Sequence, residues 1–254
     1  MIETTFNDLY AMLLIVLVLV ISVCLWWFSR RLHTHKKHGL RPIPAFTMMK
    51  SLLGHMTEGG KIVHLALGTA GISEASVPAT VSGLAVLRYL ANQGASFGVS
   101  PVTTVADPTS MLVAQDTLYR AHQTRGLADN YASTDVQMIA PDPTAFAIGA
   151  QDIVNQENVA ANVMIGHFDQ EFLLLGEAGA QRGLIQAAGS DSVGAQPFML
   201  ATSKHVLLGE EMFAAGAYLT QEPGQVASLV VQDLLRVGVV VVILLGVIAK
   251  TLLG

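Results

Sequence analysis

His167 and Asp169 sit two residues apart in GHFDQE, an imidazole beside a carboxylate, which is the pairing that orients a general base. The same residues read better as a hydrogen-bonded histidine at a strand end with a capping aspartate. Further along the chain, Asp107 in ADPTS (106–110) and Asp142 in PDPTA (141–145) repeat one local pattern of Asp, Pro and Thr. Carboxylates with an imidazole can bind a metal or move protons, but Asp before Pro and Thr is also the ordinary way to cap a helix. The run GTAG (Gly68, Thr69, Ala70 and Gly71) lies where a phosphate loop would lie. It lacks both the GK[ST] of a Walker loop and the spacing of GxGxxG, so a tight turn explains it too. No GxSxG elbow occurs and Cys24 is the single cysteine, so serine-elbow and cytosolic thiol chemistry are unsupported and an intrachain disulfide is excluded.

These residues share an edge only if the elements between them form a parallel sheet. Short apolar runs alternate with helix-like stretches, as in βαβ units. The expected strands are 61–68, 101–107, 136–142, 161–167, 184–189 and 205–209. The expected helices are 77–94, 110–126, 144–157, 170–183, 193–203 and 210–219. The strand cores are continuously apolar rather than alternating, which suits strands covered on both faces. The expected fold is α/β, a Rossmann-like doubly wound, mainly parallel sheet. Ligands of such sheets bind outside the carboxyl ends of the strands. That edge would gather Gly68, Thr69, Gly71, Asp107, Asp142, His167, Asp169 and Asp191 as candidate ligand-binding residues, with Ser190, Glu210 and Glu211 nearby. His64, inside a strand, reads as a satisfied core histidine. The sequence names no catalytic residue, metal set or cofactor. Ala- and Gly-rich helices such as GEAGAQRG (176–183) and FAAGAYL (213–219) suit core packing or a contact between copies.

Mean hydropathy is +0.50. Only 13% of residues are charged, against about 25% in soluble domains, and the net charge of −5 argues against a nucleic-acid partner. Residues 9–28 carry no charge, end at Trp26 and Trp27, and are followed by Arg30, Arg31, Lys36, Lys37 and Arg41. This predicts an uncleaved transmembrane helix with the N-terminus outside. His33, His35 and His38 then fall in a basic headgroup-facing segment. A second span is expected after an amphipathic lead-in from Leu229 to Arg236. The expected layout is 1–8 extracytoplasmic, 9–28 transmembrane, 29–44 basic linker, 45–228 cytoplasmic α/β domain, and 229–254 lead-in and second transmembrane helix.

HLALGTAG (64–71), VADPTSMLVAQDTLYRA (105–121), VAANVMIGHFDQE (159–171) and above all LLGEEMFAAGAYL (207–219) resemble a bacterial membrane-protein family known as domain of unknown function 6754. The resemblance covers Pro44 to Arg236. It implies the two-anchor α/β layout and brings no activity. The expected function is accordingly a self-associating structural or organising protein of the bacterial cytoplasmic membrane, with the bilayer, copies of itself and other membrane proteins as partners. The alternative is a protein or enzyme that binds a small nucleotide-like or phosphorylated ligand at the carboxyl ends of the strands.

Overall fold

The computed structural model describes residues 41–57, 60–72 and 76–253, together with residues 12, 15, 18, 19, 22, 23, 26 and 30. It divides into an α/β unit, Arg41–Thr220, and a second unit of Met1–Leu40 with Gln221–Gly254.

Each of the six apolar runs expected to be strands gives rise to one. These are β1 (Ile62–Gly68), β2 (Val102–Val105), β3 (Val136–Met138), β4 (Val159–His167), β5 (Ile185–Ser190) and β6 (His205–Leu207). They form one sheet in the order β3-β2-β1-β4-β5-β6, and every pairing is parallel. The chain winds outward from β1 to β3, then returns to lay β4 on the other side of β1. That reversal makes the junction of β1 and β4 the topological switch point.

The α-helices between strands are α2 (Val77–Ala95), α3 (Pro108–Gln123), α4 (Pro143–Val154), α5 (Phe172–Gln181) and α6 (Gln196–Thr202), with α1 (Pro44–Thr57) before β1 and α7 (Ala215–Leu219) after β6. Proline stands in the first turn of α2, α3, α4 and α6, where its missing N–H breaks no intrahelical bond. Pro44 opens α1 in the same way, so the RPIP segment (41–44), read from sequence as a stiff linker, ends at the start of a helix. One face of the sheet packs Ala66, Met164 and Ala188 against Phe146 of α4, Phe172 and Leu175 of α5 and Met199 of α6. On the other face α2 rests directly on the strands, because a Cβ at Gly83 would meet the Leu67 side chain at 2.8 Å. Each fully buried Leu or Phe in these layers contributes about 1.5–3 kcal/mol.

The small residues of 176–183 and 213–219 spend their close approach inside this fold. A Cβ at Gly176 would meet Phe172 at 2.9 Å, and Ala215, Gly216 and Ala217 are buried.

The flanking transmembrane helices are the part of the expected fold that fails. Among the described residues, no helix is long and apolar enough to cross a membrane. The C-terminal helix, α8 (Pro223–Leu253), spends its first fourteen residues on a stretch carrying Gln225, Gln232, Asp233 and Arg236. The uncharged run from Val237 to Ala249 is then only thirteen residues, short of the roughly 20 that a bilayer core requires. The expected N-terminal span over 9–28 falls for the most part outside the described residues. The placement of the domain at a bacterial cytoplasmic membrane, with the N-terminus outside, loses its basis with these helices.

Candidate functional site

At the switch point the backbones of β1 and β4 approach closely. Gly68 ends β1 with φ +81°, and a Cβ there would meet the His167 backbone N at 2.7 Å. Only glycine accepts both the left-handed backbone and the contact. Beyond it, Thr69 donates twice to the His167 carbonyl, from N–H at 2.9 Å and from Oγ1 at 3.2 Å. The backbone of His167 is fixed from that side.

Its side chain is fixed from the other. Gly166 pairs with Ser190 in the β4–β5 register, so the residues that follow, His167 and Asp191, emerge side by side. His167 Nδ1 lies 2.7 Å from Asp191 Oδ1, with the two side chains 28% and 22% exposed. The imidazole therefore pairs with Asp191 and not with Asp169, the neighbour that its sequence suggests. Asp169 instead accepts from the Ser192 hydroxyl, while its own N–H donates to Glu171 Oε1 at 2.9 Å. Ser190 completes the arrangement: its hydroxyl donates to the Phe168 carbonyl at 2.8 Å and accepts the Phe168 N–H at 3.0 Å. Sequence reasoning placed Asp191 on this edge but missed it as the partner, since only the register of β4 against β5 brings the two together.

The other candidates are distributed around this pair. Asp107 caps α3, accepting from the Ser110 N–H at 2.8 Å and from the Thr109 hydroxyl. Burial pushes its carboxyl up, but these bonds outweigh burial and hold it below the usual carboxylate range. Gly71 packs on that carboxylate, where a Cβ would come within 2.7 Å of Asp107 Cγ. The Ala70 carbonyl accepts from Thr80 Oγ1 at 3.1 Å, so Gly68 to Gly71 form a turn tied to α2 and α3. Asp142 caps α4 through the Ala145 N–H at 2.9 Å, at the end of edge strand β3 and two strands away from the switch point. Glu211 faces Arg41 at 3.6 Å. Beside the turn, a cavity of about 340 Å³ is lined by Ile72, Thr109, Leu112 and Val113. Among the described residues no cluster of His, Cys, Asp and Glu is arranged to hold a metal ion.

One family's sequence profile matches residues 3–254, and its description is Domain of unknown function (DUF6754). The chain belongs to this family. No curated protein and no solved structure matches it. What the DUF6754 fold does with this edge must therefore be argued from its chemistry.

The charge of the edge is one-sided. Among the described residues, the segments that leave the carboxyl ends of the six strands (68–72, 106–110, 139–143, 167–171, 190–195 and 208–211) contain no Lys or Arg. They contain Asp107, Asp142, Asp169, Glu171, Asp191, Glu210 and Glu211.

Deeper in the sheet, and apart from this edge, a row of side chains crosses four strands. Thr104 Oγ1 lies 3.0 Å from His64 Nε2, His64 Nδ1 lies 2.8 Å from Asn162 Oδ1, and Asn162 Nδ2 donates to Gln186 Oε1 at 3.0 Å. Gln186 Nε2 ends the row on the carbonyls of Gly176 and Thr202, at 3.0 and 2.8 Å. His64 is fully buried, and burial drives its imidazole down to about 4, the bond to Asn162 opposing that more weakly. This histidine is thus a satisfied core residue, as its position inside an apolar strand suggests.

Proposed function

We propose that the α/β unit binds a small ligand at the carboxyl ends of β1, β2 and β4, and that this ligand is uncharged or cationic. The observation that carries the reading is the strand reversal between β1 and β4 with the His167–Asp191 pair standing on it. Crevices outside the carboxyl ends of strands at such a reversal are the ligand sites of open α/β sheets. The open depression beside the Gly68–Gly71 turn, about 340 Å³, is of the size that holds small ligands; its lining residues are apolar apart from Thr109 and do not include His167 or Asp191.

A phosphorylated or nucleotide-like ligand fits this edge poorly. Its described loops carry seven carboxylates and no Lys or Arg, and Arg41 faces only one of the seven, Glu211. The N-terminal amides of α3 and α4, which would otherwise attract an anion, are already taken by the carboxylates of Asp107 and Asp142. Like-charge repulsion in a partly desolvated crevice costs several kcal/mol. A self-associating organiser draws less support, since Gly176 and Gly179 of the small-residue stretches that suggested it pack against side chains of the same fold.

Amide NMR on the full chain tests this, using a panel of neutral sugars, small esters, primary amines, inorganic phosphate and nucleoside phosphates at millimolar concentration. Neutral or cationic members should shift Thr69, Ile72, His167 and Asp191 saturably. Saturable shifts at those residues from phosphates alone, or from no member at all, would sink the proposal.

A further inference from the structure

The His167 ring has one nitrogen committed and one open. Nδ1 is held by Asp191 at 2.7 Å, and no described residue bonds to Nε2. A carboxylate on Nδ1 fixes the neutral ring as the Nδ1–H tautomer and leaves the lone pair on Nε2. Neither part of the residue can swing away easily, because Thr69 holds its carbonyl and Ser190 clamps the next residue at both N–H and C=O.

We propose that His167 is a catalytic base, with Asp191 as its positioning residue, and that the reaction is hydrolysis of a small uncharged ester bound at the strand ends. This rests on the ligand-binding reading above. Water gives a proton to Nε2 as its oxygen forms a bond to the acyl carbon. The imidazolium so produced stands against the Asp191 carboxylate, which stabilises it. The bond from the acyl carbon to the alcohol oxygen then breaks, and that oxygen takes the proton back from Nε2, leaving acid, alcohol and neutral His167. Water is the only co-reactant. An uncharged ester is the class of substrate that the acidic edge admits.

The test uses the full chain with 4-nitrophenyl acetate and 4-nitrophenyl butyrate, and compares wild type with His167→Gln, Asp191→Asn, Asp191→Glu and, as a control, His205→Gln from the opposite edge of the sheet. Wild type and the His205 variant should turn over many equivalents with saturation. His167→Gln should lower kcat by about 100- to 10,000-fold with an unchanged circular dichroism spectrum. Asp191→Asn should lower kcat at least tenfold with KM within threefold, and Asp191→Glu should recover part of the lost kcat, a pattern that loss of structure alone would not give. Equal rates in wild type and His167→Gln overturn the proposal, as does an Asp191→Asn kcat that matches wild type. If His167→Gln fails to fold, the Asp191→Asn and Asp191→Glu rates decide. Saturable shifts at Thr69 and Ile72 on adding the non-hydrolysable ether analogue, without ester turnover, overturn catalysis and leave binding standing. No shifts and no turnover overturn both.

Discussion

Acidifying the protein should expose the cost of keeping His64 neutral. The imidazole donates from Nδ1 to Asn162 and accepts at Nε2 from Thr104, so a second proton has no place in the row. Its folded-state value of about 4 lies below the ordinary 6.5 of the unfolded chain. Below pH 6.5 the unfolded state binds a proton that the folded state refuses, and stability must fall as pH falls. The full difference, reached near pH 4, corresponds to about 3 kcal/mol, of which about 2 kcal/mol is lost by pH 5. With a urea dependence of ~2 kcal/mol per molar, the midpoint should move by about 1 M between pH 7 and pH 5 from this residue alone. Urea titrations from pH 7.5 to 4 on wild type and His64→Gln isolate the term, because carboxylates such as Asp107 contribute equally to both. The variant starts less stable, having lost buried hydrogen bonds, but its slope between pH 6.5 and 4 should be shallower. Parallel slopes would refute the reasoning, and so would an NMR titration in which His64 protonates near pH 6.5.

Two further outcomes follow from the packing. Asp107→Ala and Asp142→Ala should each cost ~1 kcal/mol by loss of a helix cap, and the double variant should cost about the sum, since the caps serve separate helices; urea midpoints check this. Gly179→Ala should destabilise by about 1–3 kcal/mol, because the added methyl would sit 2.7 Å from Gln186 Cδ and 3.2 Å from Asn162 Nδ2, while Ala at the open Gly54 within α1 should stabilise by about 0.5–1 kcal/mol by the same measurement.

Most of the α/β unit is legible in the residues. LALG and VMIG are apolar at successive positions, which suits a doubly covered strand, and all six expected strands form. The repeated Asp-Pro-Thr junctions announce the caps of α3 and α4 because capping is local chemistry. What escapes is whatever depends on neighbours distant in the chain. Asp169 is the carboxylate nearest His167 in sequence, yet a residue two places along a chain leaving a strand turns away, and the next strand supplies Asp191. Helix α1 hides behind Ile43 and Pro44, which read as linker because proline breaks helices everywhere except at their start. The C-terminal helix shows the opposite error: its apolar run is conspicuous in sequence, but the run is shorter than the helix that contains it.

The buried row from Thr104 to Gln186 also acts as an assembly address. Six parallel strands of similar apolar composition offer many wrong neighbours and many slipped alignments that would bury nearly as much surface. Only one order sets a threonine beside a histidine, the histidine beside an asparagine and the asparagine beside a glutamine at the same depth. A one-residue slip of β4 against β1 and β5 would turn Asn162 to the opposite face and strand four buried polar atoms on His64, Asn162 and Gln186. At about 1–3 kcal/mol for each lost partner, that error costs of order 4–12 kcal/mol, comparable to the whole stability of a domain. The row would therefore make mis-threaded sheets come apart before they could compete with the native one.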